Sequence, residues 1–276
     1  MGTLYIVGTP IGNLEDITFR AVRILREVAL IAAEDTRKAR ILLGHYGIKT
    51  PVTSFFEANE RRKTDTLLAT LAESDVALIS EAGMPGISDP GYPLVRAAIE
   101  RDIPVVPAPG PSAHTAALVA SGLPTDRFLF LGFLPRKSAD QRATLAEVAG
   151  LRATLLVYES PRRVQATLAN ALAVLGNRPV ALCRELTKLY EEIWRGDLEG
   201  ALARLEEVPP RGEYTLVIGG APERACWDEA QVRAALAETL AQGRTRSQAA
   251  REVAKRSGWR RREIYELRNQ TSGVER

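Results

Sequence analysis

Val76-Ala77-Leu78-Ile79-Ser80-Glu81-Ala82-Gly83-Met84-Pro85-Gly86-Ile87-Ser88-Asp89-Pro90-Gly91 decides the fold class of this chain. A short apolar run, Val76–Ser80, reads as a buried strand; it breaks into the loop Glu81–Gly91, and a helix over Pro93–Arg101 follows. The twelve residues Ser80–Gly91 hold three glycines and two prolines. Glycine lets a backbone approach a ligand closely and proline stiffens the path, so this is a costly way to build an idle connection. A strand, a stiff Gly/Pro loop and a helix make one β-loop-α unit, and the loop is the first candidate for a ligand site.

Outward from that unit the same alternation recurs, as in an α/β protein. Towards the N-terminus, strands are predicted over Leu4–Val7, Ala29–Ala33 and Val52–Phe56, with helices over Asp16–Val28, Ala39–Tyr46 and Glu57–Ala72. Towards the C-terminus, a strand over Ile103–Val106 and a helix over Ala113–Ser121 lead to Gly122-Leu123-Pro124-Thr125-Asp126, a hinge composition. The second half repeats the general scheme, with strands over Phe128–Phe133, Thr154–Tyr158, Val180–Cys183 and Tyr214–Ile218. Its helices are predicted over Ala139–Ala149, Val164–Leu175 and Leu198–Glu207, and Glu191–Gly196 reads as a short strand and turn. Asp228–Arg268 reads as entirely helical. The expected domains are 1–121, 122–221 and a basic helical segment, 222–276.

With 276 residues, 45% hydrophobic and 26% charged, the composition is that of an ordinary soluble protein. No run approaches the roughly 20 apolar residues of a membrane span. The start, Met1-Gly2-Thr3-Leu4-Tyr5-Ile6, lacks the features of a secretory signal, so a cytoplasmic protein with no membrane partner is expected. Two cysteines, Cys183 and Cys226, make neither a disulfide framework nor a zinc site, and Cys183 reads as a small buried side chain. His45 and His114 are too scattered for a metal centre, so no metal is expected. The net charge is +3, but residues 244–268 carry nine Lys/Arg against three Glu. A basic end on a slightly acidic body suits a polyanion.

Ligands of open α/β sheets bind beyond the carboxyl ends of strands. Val7-Gly8-Thr9-Pro10-Ile11-Gly12-Asn13-Leu14 stands in such a place but is not G-x-G-x-x-G, and Pro10 removes a backbone donor that a pyrophosphate would want. The chain contains no G-x-x-x-x-G-K-[ST], so a ligand without phosphates fits better. In Pro107–Ser112 a serine enters a helix, where it can cap the helix, meet a ligand, or do both.

Several strings carry a resemblance: Gly8–Thr18 (GTPIGNLEDIT), Ala33–Arg37 (AEDTR), Ser80–Gly91 (SEAGMPGISDPG) and Pro109–Ala113 (PGPSA). Phe130–Arg136 (FLGFLPR), Tyr158–Arg163 (YESPRR), Cys183–Glu192 (CRELTKLYEE) and Gly212–Ile218 (GEYTLVI) add to it. In that order, over residues 3–220, they resemble the tetrapyrrole methylase superfamily, and within it the branch that methylates small-subunit ribosomal RNA. The resemblance implies two α/β domains with S-adenosylmethionine in the cleft between them, and a homodimer. It further implies methyl transfer to the ribose 2′-hydroxyl of a cytidine in the decoding region of 16S rRNA, met as naked rRNA or as the small ribosomal subunit. The superfamily usually has Gly-Asp-Pro where this chain has Gly83-Met84-Pro85, so the grip there is expected from backbone rather than from a carboxylate. By motif position the cofactor contacts are Pro10, Gly83, Met84, Pro85, Ile87, Ser88, Ser112, Ala113, Tyr158, Leu186 and Thr215.

In-line methyl transfer is first an orientation problem, and a hydroxyl needs its proton removed as it attacks. Polar residues at strand ends supply candidates: Glu34, Asp35, Arg37, Glu81, Arg184, Glu185 and Lys188. Asp35, Glu81 or Glu185 can take a proton, and Lys188 or Arg184 can stabilise an alkoxide; each can equally sit in a structural ion pair. Asp35 and Glu81 are the first choices. In the basic tail, a helix capped by Ser247 and carrying Ala250, Val253 and Ala254 inward meets the turn Ser257–Trp259. Arg260–Arg268 forms a second helix with Ile264 and Leu267 buried, a helix-turn-helix pattern. Arg246, Arg260, Arg261 and Arg262, with Arg37 on the body, are the expected RNA contacts. Two rival readings remain: methylation of a small tetrapyrrole-like substrate, and a non-catalytic RNA-binding protein that senses cofactor.

Overall fold

A computed structural model describes residues 1–222 and 227–267. Cys226 and Arg268 lie outside the described residues. Residues 1–221 form one compact unit and residues 222–276 another.

Five short apolar strands, β1 (Leu4–Val7), β2 (Leu30–Ala33), β3 (Val52–Ser54), β4 (Val76–Ile79) and β5 (Val105–Ala108), make a parallel sheet in the order β3-β2-β4-β1-β5. Their near-continuous apolar sequence is explained by burial on both faces. One face packs Ile24, Leu25 and Leu43, from α1 (Phe19–Glu27) and α2 (Thr36–His45). The other packs Leu67, Leu71 and Leu94, from α3 (Glu60–Leu71) and α4 (Tyr92–Ile99).

Capping moves two predicted boundaries. Leu14–Asp16 is a separate 3₁₀ turn capped by Asn13, and α1 starts at Phe19 because the Thr18 hydroxyl accepts the Ala21 N–H. Helix α2 starts earlier than its apolar periodicity suggests, because Asp35 accepts the N–H groups of Arg37 and Lys38.

The second sheet contains β6 (Phe128–Phe133), β7 (Thr154–Glu159), β8 (Pro179–Arg184), β9 (Glu192–Asp197) and β10 (Tyr214–Ile218), in the order β6-β7-β10-β8-β9. Only β6 and β7 pair in parallel; the other pairs are antiparallel. This half therefore departs from the first in topology. The segment between β8 and β9 is too short for a helical crossover, and parallel neighbours need one.

One face of this sheet is covered by α6 (Ser138–Val148), α7 (Val164–Leu175) and α8 (Leu198–Glu207). The other is covered by α5 (Ala113–Ser121), which buries Ala117 and Leu118 against Leu156, Ala181 and Val217. The chain thus joins the core of the second sheet before it reaches the hinge composition at 122–126. No helix among the described residues is long and apolar enough to cross a membrane.

Residues 227–267 hold three helices, α9 (Glu229–Ala241), α10 (Arg246–Ser257) and α11 (Arg261–Glu266). Asp228 and Thr245 cap α9 and α10 through capping boxes. The cap of α10 is thus Thr245, and Ser247, expected in that role, lies inside the helix. Val232, Leu236, Ala250, Val253 and Ile264 form the unit's own core. The break at Gly258 falls in the expected turn Ser257–Trp259, whereas the break at Gly243 adds a helix not separated in the expected helical stretch; both glycines stand in the left-handed region.

Candidate active site

The loops leaving β1, β4 and β5 are stitched together by backbone. Thr9 N–H donates to the Gly83 carbonyl at 2.9 Å, and Gly83 N–H returns a bond to the Thr9 carbonyl at 3.0 Å. Gly83 stands at φ +79°, a conformation that favours glycine. At the next strand end, a Cβ on Gly8 would lie 2.7 Å from Gly110 Cα, so β1 and β5 approach without side chains. The far end of the Ser80–Gly91 loop is pinned by Gly91 N–H donating to Glu60 Oε1 at 2.8 Å.

Opposite stands the second half, where side chains replace backbone. Lys188 Nζ donates to Glu185 Oε1 at 3.0 Å and to Glu213 Oε2 at 2.7 Å. Burial pulls the lysine pKa down, but Glu213 and Glu185 outweigh it and raise it. Glu185 Oε1 also accepts the Glu213 N–H at 2.8 Å. Burial pushes the Glu185 pKa up, yet that bond and Lys188 leave it below its ordinary value. The segment between β8 and β9 is tightly wound, with Glu185 at φ +49° and Thr187 at φ +65°. Thr187 Oγ1 accepts Asn13 N–H at 3.1 Å, which ties this segment to the loop after β1.

Between the two sets of loops lies a cavity of about 410 Å³. Its wall includes Gly83, Met84, Ile87, Ser88, Ser112 and Ala113 from the first set of loops. Tyr158, Leu186 and Thr215 face them, with Glu81 and Lys188 also in the wall. Expected site residues that stand far apart in the chain thus share one cavity. Asp89, His114, Glu159 and Glu213 stand in the same wall without having been expected there.

Asp89 lies inside the string that decides the fold, and burial together with Glu34 and Glu81 pushes its carboxyl up to about 6, against a hydrogen bond from Ser80. His114 Nδ1 is 3.1 Å from Tyr158 Oη, its backbone N–H donates to the same oxygen at 3.2 Å, and its ring stacks on Phe130. Burial lowers the His114 pKa, which favours the neutral ring. Ser112 stands at the N-cap of α5 but bonds no helix amide; its Oγ lies 3.1 Å from His114 Nδ1. Glu159 is fully buried and accepts from Thr167 Oγ1 at 2.7 Å and from Ser160 N–H at 2.8 Å, with Arg163 at 3.2 Å. Cys183 reaches the wall as a buried thiol, and burial pushes its pKa up to about 11.

The model of the family "Tetrapyrrole (Corrin/Porphyrin) Methylases" matches residues 3–202. A relative from Halalkalibacterium halodurans, named "Ribosomal RNA small subunit methyltransferase I", is 46% identical over 98% of this chain and 95% of its own length. Another of that name from Synechocystis sp. is 48% identical over 97% of both chains. The chain belongs to the ribosomal RNA small subunit methyltransferase I family of the tetrapyrrole methylases. Solved structures agree on the fold. Native uroporphyrin III C-methyl transferase from Thermus thermophilus matches with a TM-score of 0.56 at 21% identity, covering 79% of this chain and 97% of its own. The same enzyme complexed with S-adenyl homocysteine matches with a TM-score of 0.55 at 22% identity, over 79% and 97%.

Within this family frame, several expected site residues stand elsewhere. Pro10, next to the Thr9–Gly83 bridge, lines a separate groove with Leu14, Lys38 and Ile41 and is not in the cavity wall. Pro85 is buried in its loop and contributes nothing to the cavity wall. Asp35 is also outside the wall; the side chain and backbone of Arg37 hold its carboxyl far below the usual carboxylate range. That fits a helix cap and does not fit a proton acceptor. Arg37 is exposed and forks onto Asp35 at 2.8 Å.

Glu34 receives Glu81 N–H at 3.1 Å, and burial raises its pKa. Glu81 lines the cavity but is held by Lys38 at 2.5 Å. Arg184 sits with Glu192 at 3.0 Å, on the side of a different hollow. In the helical unit Arg246 donates to the carbonyls of Tyr265 and Leu267, which is helix-end work rather than a free cation. Arg261 donates to Ser247, Arg262 pairs with Glu266 at 2.8 Å, and the backbone N–H of Arg260 donates to Glu263.

Proposed function

We propose that this chain transfers a methyl group from S-adenosylmethionine to the ribose 2′-hydroxyl of a cytidine in the decoding region of 16S rRNA. The small ribosomal subunit, or naked 16S rRNA, is the substrate, and the site of action is the cytoplasm. The observation that carries the reading is the composite cavity of a family member. Its first wall comes from the loops after β1, β4 and β5, through Ile11, Gly83, Met84, Ile87, Ser88 and Ser112. Its charged lining holds Glu81, Asp89, Glu159 and Glu213 beside Lys188, with Lys38 and Arg163 pairing Glu81 and Glu159. A nucleoside that carries a sulfonium, an amino group and no phosphate fits that chemistry. When bound, S-adenosylmethionine supplies a methyl already activated for displacement.

The protein's own work is alignment and charge. Gly83, Ile87 and Ser88 offer backbone and short side chains for the donor, Met84, Leu186 and Tyr158 offer apolar surface, and Ser112, Ala113 and Thr215 complete the pocket. Lys188, braced by Glu185 and Glu213, stands where a cation can stabilise a developing alkoxide. Arg260, Arg261 and Arg262 open α11 on the basic unit and act as phosphate contacts. A homodimer completes the reading, supported by Leu189 and Tyr190, which are 88% and 71% exposed apolar side chains that a second copy would cover.

The test is transfer of labelled methyl from S-adenosylmethionine to small subunits from cells lacking the modification, mapped by nuclease digestion. Label on a cytidine ribose oxygen is expected. Label on a base overturns the reaction type, transfer only to a tetrapyrrole moves the substrate, and no transfer favours a cofactor sensor. For the basic unit, neutralising Arg260, Arg261 and Arg262 together should weaken RNA binding and flatten its salt dependence; an unchanged slope sinks that assignment.

A further inference from the structure

The wall of the cavity holds four carboxylates, and three are already committed. Glu81 is paired with Lys38, Glu213 with Lys188, and Glu159 with Arg163 and Thr167. Asp89 alone among them faces no basic side chain among the described residues. Its neighbours are the Ser80 hydroxyl, the carboxylates of Glu34 at the end of β2 and Glu81 in its own loop, and the phenol of Tyr158 across the cavity on β7.

The loop that carries Asp89 is pinned by a hydrogen bond on one side and lies close against β6 on the other. Gly91, two residues on, is bonded to Glu60, and the preceding Ser88 stands at φ +63° with its Oγ about 3.2 Å from where a Cβ on Gly132 of β6 would lie. A carboxylate fixed this way, and left without a counter-ion, is poised to gain a proton rather than to hold a salt bridge.

We propose that Asp89 is the proton acceptor for the attacking hydroxyl. The assignment rests on the proposed function, in which this cavity performs methyl transfer to an alcohol. The acceptor's O–H bond breaks, its proton goes to the Asp89 carboxylate, and its electron pair forms the new C–O bond. The bond between methyl carbon and sulfur breaks with its pair retained on sulfur. Protonated Asp89 then releases its proton to solvent. The same surroundings that deny Asp89 a cation bring its protonation equilibrium close to the working range of a base, as burial and the two neighbouring carboxylates lift its pKa to about 6.

The experiment compares the full-length chain with Asp89→Asn and Asp89→Glu on unmodified small subunits, with S-adenosylhomocysteine affinity measured by calorimetry. Asp89→Asn should lower kcat roughly 10²–10⁴-fold. S-adenosylhomocysteine affinity should fall far less than the rate, and Asp89→Glu should recover part of the rate. The wild type should show an acidic limb in kcat/KM near pH 6 that is absent from the residual rate of Asp89→Asn.

A parallel fall in affinity and rate, or a variant within about threefold of wild type, overturns the assignment. Should Asp89→Asn fail to fold, Asp89→Glu decides: a reduced rate with S-adenosylhomocysteine affinity kept supports the role, and a wild-type rate with an unchanged pH profile removes it. If the wild type itself transfers no methyl, the functional reading fails first and the assignment falls with it.

Discussion

The two walls of the cavity are built by opposite means. On the side of the first sheet, β1, β4 and β5 end in loops whose contacts are main chain to main chain, through the Thr9–Gly83 bridge and the Gly8–Gly110 approach. On the side of the second sheet, the wall is a network of charged and aromatic side chains, Lys188–Glu213 and His114–Tyr158, and Glu185, expected as a catalytic residue, stands outside the wall and braces Lys188. A backbone wall tolerates no added atom but needs few particular side chains. A side-chain wall tolerates bulk but depends on each partner. Substitutions should therefore fail differently on the two sides.

The hardest break is Gly8→Val. Its Cβ would stand 2.7 Å from both Gly110 Cα and Met84 Sδ, so the strand ends must part. Overpacking of this kind costs about 3 kcal/mol of folding stability, measurable by denaturant titration. Retained stability would show that the backbone approach is incidental.

Next in size is Lys188→Met, which leaves Glu185 and Glu213 facing each other without a cation. Because the lysine is partly solvated, the loss is screened, and a fall in kcat of about tenfold with little change in KM is expected. A change confined to KM would mean that Lys188 only binds. Smaller still, Tyr158→Phe removes a hydroxyl bonded to both the backbone and the ring of His114. A loss of about 1 kcal/mol in thermal stability is expected, with the aromatic contacts to Phe130 and Phe133 kept. No loss would mean that water replaces the hydroxyl.

The contrast also explains what is legible in the sequence. Glycine and proline clusters are local signals, so the backbone wall shows in Ser80–Gly91 and Pro107–Ser112 from residue types alone. The motif resemblance adds Tyr158, Leu186 and Thr215, which share the same cavity. The partners of each charge are not legible, because the pairing of Lys38 with Glu81 spans 43 positions and that of Lys188 with Glu213 spans 25. Asp35 and Arg246 mislead for the same reason: a carboxylate at a strand end and an arginine in a basic tail look available until the helix amides and carbonyls they serve are in place. The antiparallel second sheet is likewise hidden, since short apolar runs do not declare their direction.

The smallest effect is the most discriminating, because its sign runs against intuition. Asp89 has a folded-state pKa of about 6, above the value of about 3.9 for an unfolded chain. Below about pH 3.9 both states carry the proton and Asp89 has no pH-linked effect on stability. As the pH rises from there, the unfolded state ionises first, and the cost of a buried anion accumulates until about pH 6, above which it is constant. Asp89→Asn removes that cost, so the variant should match the wild type near pH 3.5 and exceed it near pH 7.5. Asp89 keeps some contact with water, and solvent screening reduces the gain to about 1 kcal/mol at most. Denaturant titration at the two pH values measures it. A variant that is less stable at pH 7.5 would show that the carboxylate holds the loop together, and would move Asp89 from the chemistry of the cavity into its scaffold.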